Sequence, residues 1–175
     1  MGTQRCCRLI ACALLCLLAH AQGAAAVEVA FYSREMSRRY FPHAFVRIQG
    51  TLDAGGEPID ATYGFTARSV GPGILLGSVA GEVREEPPEG IARSERQFAF
   101  TATDAQYEAV LAAVERWRIR RQPSYNLNRR NCVHFVADVA RALGLRTDGA
   151  ERLMKRPRAF LEHLRLLNPE LINPP

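Results

Sequence analysis

Apolar residues recur along this chain at two periods, and the switch between them separates a strand-rich half from a helix-rich half. Residues 27–33, VEVAFYS, alternate loosely and predict a short strand. HAFVRIQG, 43–50, alternates more strictly: Ala44, Val46 and Ile48 fall on one face, His43, Phe45, Arg47 and Gln49 on the other. Between these two runs, SREMSRRY reads as a polar connector with at most one helical turn. TLDAGGEP gathers Asp, Gly-Gly and Pro, which is turn chemistry, and IDATYGFTA returns as a strand. Residues 43–67 therefore predict a hairpin centred near Ala54, with His43 opposite Phe65 or Thr66. GPGILLGSVAGEV predicts a third strand, REEPPEG a charged surface loop, and IARSERQFAFTA a fourth strand.

From Thr103 the period becomes helical. Thr103 and Gln106 have capping-box spacing, and Tyr107, Val110, Leu111, Val114 and Trp117 form a stripe for burial. QPSYNLNRR is a loop. Asn131 opens a second helix as its N-cap, and Gly144 closes it as a left-handed residue. TDGAERLMK is a loop or short helix. Pro157 opens a last helix that stops before Asn168-Pro169. No repeat or linker interrupts residues 27–175, so the pattern predicts one α+β domain: a small antiparallel sheet packed with helices.

The N-terminus follows another rule. Arg5 and Arg8 precede an uninterrupted apolar run of eleven residues, LIACALLCLLA, and small residues follow. That order is expected of a secretory signal peptide over 1–21, with cleavage as late as residue 26. A transmembrane helix needs about 20 apolar residues, so the mature chain is expected to have none. Lipoprotein anchoring through Cys12 or Cys16 competes, but Cys12 comes too early in the apolar run and Cys16 follows a bulky Leu. The expected destination is the periplasm or the extracellular space. The chain has 23 basic and 18 acidic residues; the leader holds two of the bases and no acid, leaving a net charge of +3. That mild, unclustered surplus argues against a nucleic-acid partner. A monomer is expected.

Export also isolates one thiol. Of five cysteines, Cys6, Cys7, Cys12 and Cys16 belong to the leader and only Cys132 remains. A single cysteine forms no internal disulfide, and burial in a core is its ordinary fate. Its position suggests otherwise. Just after the Asn131 cap it sits in the first helical turn, where free N–H groups and the helix dipole favour thiolate. Arg129 and Arg130 precede it, and the apolar stripe of Phe135, Val136, Val139, Ala140 and Leu143 anchors the helix behind it. A thiol nucleophile needs a base. His134 lies about 200° around the helix from Cys132 and is expected to support the helix start. His163 sits in the apolar setting of the last helix. His43, at the entrance of a strand, is the histidine placed to face the helix start. C-x-H spacing suits a zinc site poorly, and neither a metal nor another cofactor is expected.

Tyr125-Asn126-Leu127 followed by Asn131-Cys132-Val133-His134-Phe135 resembles the Y-x-L…N-C-x-x-F segment of circularly permuted papain-like hydrolases, relatives of the NlpC cell-wall peptidases. The N-C-x-H-F form also resembles the lecithin:retinol acyltransferase-like branch. In permuted members the histidine strand precedes the cysteine helix, as H-A-F-V-R-I precedes N-C-V-H-F-V here; Pro42 stands where the family has glycine. The resemblance implies Cys132 as nucleophile, His43 as base and a third polar residue on the neighbouring strand. The hairpin register offers Thr66 or Tyr63 for that role. Tyr125 and Asn131 are candidate oxyanion donors beside the Cys132 amide. The expected function is an exported thiol hydrolase or acyltransferase acting on an amide or ester. Its partner would be a peptide, a peptidoglycan fragment or a lipid-like acyl substrate. The alternative is an inactive relative that binds a peptide, lipid or protein in the same cleft.

Overall fold

The computed structural model of the chain describes residues 26–38 and 40–172. The expected leader over 1–21 lies outside them. Strands β1 (Val27–Arg34), β2 (His43–Gly50) and β3 (Ile59–Ala67) are followed by a one-turn helix α1 (Gly73–Leu76), then β4 (Ser78–Val79) and β5 (Gly81–Arg84). Helix α2 (Pro88–Ala92), strand β6 (Glu95–Ala102), helix α3 (Asp104–Arg118), strand β7 (Tyr125–Asn126), helix α4 (Cys132–Ala142) and helix α5 (Pro157–Leu167) complete the chain. The main sheet is antiparallel, in the order β5-β3-β2-β1-β6, while β4 and β7 pair separately. The α+β class expected from the two periods is the one observed.

The β2–β3 hairpin pairs Val46 with Tyr63 and Ile48 with Ala61. Extended beyond the paired residues, that register sets His43 opposite Thr66, as the turn chemistry predicts. Ala44, Val46 and Ile48 enter the main core with Val29, Phe31 and Phe98. Phe45, on the alternate face, is fully buried and stacks on Tyr32 at 5.2 Å. Burying each such side chain contributes about 1.5–3 kcal/mol. Trp117 of α3 packs edge-on against Phe65 and Phe135, and its Nε1 donates to Asp138 at 2.8 Å, which fastens α3 to α4.

The predicted helix starts and stops are observed. Thr103 and Gln106 form a capping box, and Gly144 ends α4 at φ +86°. Three expectations in the middle of the chain fail wholly or in part. Ile74, Leu75 and Leu76 belong to α1 rather than to a strand, because one turn between Pro72 and Gly77 has no alternation to hold it in a sheet. REEPPEG is a surface loop only in part: Glu85 and Pro87 are exposed and outside any element, but Arg84 ends β5, Pro88 opens α2, and Glu86 is buried. Tyr125 and Asn126 leave the expected loop to pair with β4. Among the described residues no helix is long and apolar enough to cross a membrane.

Candidate active site

Asn131 fixes the start of α4. Its Oδ1 accepts from the amides of Val133 (2.9 Å) and His134 (3.3 Å), and its Nδ2 donates to the carbonyls of Leu127 (2.8 Å) and Met154 (2.7 Å). The His134 ring completes the box, Nδ1 lying 3.4 Å from the Asn131 amide, which is the supporting role expected of it. With both ends of its carboxamide engaged, Asn131 has no donor left for an oxyanion.

Cys132 is the first residue of α4 and is only 6 % exposed. Burial pushes its thiol up to about 11. The amides of Ala44, Val133 and Cys132 itself, and the charge of Arg34, act in the opposite direction without overcoming it. The helix start thus favours thiolate as its geometry predicts, but desolvation is the larger effect and the resting sulfur is a neutral thiol. The cation acting on it is Arg34 of β1, not the adjoining Arg129 or Arg130.

His43 opens β2 as the cross-strand partner of Arg34. Its ring stacks on Phe45 at 6.2 Å and lies over Gly64, where a Cβ would come within 2.8 Å of Nε2. Nε2 is 3.6 Å from Glu86 Oε2. Burial first, then the charges of Arg34 and Arg84, lower His43 to about 3, so the imidazole is neutral. Glu86 does not offset this, and its other oxygen is held by the Arg34 guanidinium. The Glu86 amide donates to Thr62 Oγ1 at 2.8 Å, continuing the β3–β5 pairing past Arg84. Glu86 is thus the polar group the structure brings to His43, and the sequence offered no sign of it inside a Pro-rich run. Neither expected candidate meets the imidazole. Thr66 lines the cleft, but its hydroxyl turns to the Ala67 carbonyl at 3.5 Å; Tyr63 lies outside the cleft beneath Arg118.

His43 and Cys132 open into one cleft of about 750 Å³, which Tyr125, Thr66, Arg84 and Lys155 also line. The sulfur receives the amide of Ala44, one residue along the strand from His43. Among the described residues no hydrogen bond joins the thiol to the imidazole. Tyr125 stacks on Phe65 at 5.7 Å, and burial together with the nearby Cys132 raises its phenol to about 12, so it remains a donor.

No family model matches the sequence, and no curated protein does. Among solved structures the chain is similar to the type VI secretion system effector TseH, with a TM-score of 0.52 and 15 % identity, over 82 % of this chain and 90 % of that one. At that identity the likeness is one of fold: an α+β domain with a five-stranded antiparallel sheet against helices, consistent with a small papain-like arrangement in which the histidine strand precedes the cysteine helix.

Proposed function

We propose that the chain is a thiol-dependent acyl hydrolase or acyltransferase, exported from the cytoplasm, that attacks an amide or ester carbonyl in this cleft. One observation carries the reading: a helix-start cysteine and a strand-start histidine line the same cleft, with the amide beside that histidine turned to the sulfur. Both groups rest neutral, so the proton moves as the sulfur attacks rather than beforehand. The Sγ–carbon bond forms, the thiol proton passes to His43 Nδ1, and the carbonyl oxygen becomes an oxyanion. Nδ1 takes this part because Nε2 faces Glu86. The Cys132 amide and the Tyr125 hydroxyl stabilise the oxyanion. The imidazolium then gives its proton to the leaving group, and water or an acceptor resolves the thioester. Glu86, 3.6 Å from Nε2, positions the ring.

Hydrolysis of p-nitrophenyl acetate tests this. Cys132→Ala is expected to abolish turnover above background, and His43→Ala to slow it about 10²–10⁴-fold. A second reading, a binding module without chemistry, draws on the buried neutral thiol and its lack of a hydrogen bond to His43. Hydrolysis unchanged by Cys132→Ala would favour it.

A further inference from the structure

Eight large apolar side chains are exposed among the described residues, and five of them gather at one cleft. Met36 and Phe41, each 62 % exposed, Val70 at 63 % and Leu75 at 77 % all line the cleft, and Leu76 adjoins it on α1. They come from two separate connections, one between β1 and β2 and one between β3 and β4. Single exposed apolar residues need no explanation, whereas a concentration at the mouth of one cleft marks a binding surface. Charge supplies a second, independent feature. Arg34, Arg84 and Lys155 line the cleft, which no Asp or Glu lines. Arg34 is bound to Glu86, but Arg84 and Lys155 are exposed and make no ion pair among the described residues. The cleft volume, about 750 Å³, lies in the range of roughly 300–1,000 Å³ of sites that enclose a small organic ligand.

We propose that the cleft takes a single-chain anionic amphiphile, with its acyl chain along Met36, Phe41, Val70 and Leu75 and its phosphate or carboxylate head against Arg84 and Lys155. The inference rests on the acyl-transfer reading and names its substrate class. An ester joining chain to head would present its carbonyl to Cys132. The thioester to Sγ forms, the ester C–O bond breaks, the head leaves as an alcohol carrying the proton from His43, and water releases the fatty acid.

Calorimetric titration of the Cys132→Ala chain, below micelle-forming concentrations, tests the occupant without any chemistry. Dodecyl phosphate and dodecanoate are expected to bind at least tenfold tighter than butyl phosphate. Leu75→Glu should weaken dodecyl phosphate at least tenfold, and Arg84→Glu several-fold. Both side chains are exposed, so unchanged thermal melting verifies that each variant folds. Equal binding of the long and short phosphates, or affinity indifferent to both substitutions, overturns the proposal. The two failures are separable. Cys132-dependent hydrolysis of p-nitrophenyl acetate without long-chain binding sinks the substrate class alone. Long-chain binding without Cys132-dependent hydrolysis of p-nitrophenyl dodecanoate upholds the amphiphile site and sinks the acyl-transfer chemistry.

Discussion

Two helices of this chain begin with the same device in opposite surroundings. At α3, Thr103 and Gln106 exchange amide bonds of 3.2 and 3.0 Å in an exposed setting where water could replace either partner. At α4, Asn131 is 2 % exposed and joins the helix start to two further backbone carbonyls, on the β7 loop and on the segment before α5. The exposed box ends a helix; the buried one fixes three segments around a sulfur. Burial thus turns a local cap into a support for a site, since the groups it satisfies have less solvent to fall back on than those at α3.

The widest difference between the two ends is expected in acid. His43 is neutral when folded, with its affinity for protons lowered from 6.5 to about 3. The unfolded chain therefore takes up the proton first. The stability this residue supplies is complete above pH 6.5 and falls toward pH 3, by at most about 1.4 kcal/mol per pH unit. Cys132, raised from 9.0 to about 11, gives the mirror case: its stability is complete below pH 9 and is lost as pH rises through 11. Urea melts across pH should show a plateau between these limits, and His43→Phe should flatten the acid limb. A limb unchanged in that variant would assign the acid loss to other groups.

Next in size is Asn131→Ala. It removes the cap and leaves the Leu127 and Met154 carbonyls without their donor, an expected loss of about 2–4 kcal/mol in chemical denaturation. Thr103→Ala, the same deletion in water, should cost about 1 kcal/mol. Equal losses in the two variants would remove the distinction drawn between them.

What could be read from the sequence divides along similar lines. The β2 alternation, the hairpin register, the Thr103 capping box, the Asn131 N-cap and the Gly144 stop depend on neighbours a few residues apart, and all are found as read. Glu86 was illegible because its burial depends on Thr62 and Arg34, 24 and 52 residues away. Gly64 carried a usable signal: a strand residue without a Cβ, in the hairpin arm facing β2, marks where another group approaches closely. The neutrality of Cys132 was hidden for the same reason. Spacing places a sulfur at a helix start, but only the packed domain determines how much water reaches it. The apolar lining of the cleft went unseen because Ile74 and Leu75 read as a strand interior.

The most direct test of Cys132 as a nucleophile served by His43 is intact-mass spectrometry of the protein exposed briefly to p-nitrophenyl acetate. A single acetyl group on Cys132 is expected, absent in Cys132→Ala and formed at least a hundredfold more slowly in His43→Ala. Acetylation that falls elsewhere, or that proceeds at the same rate without His43, would contradict it.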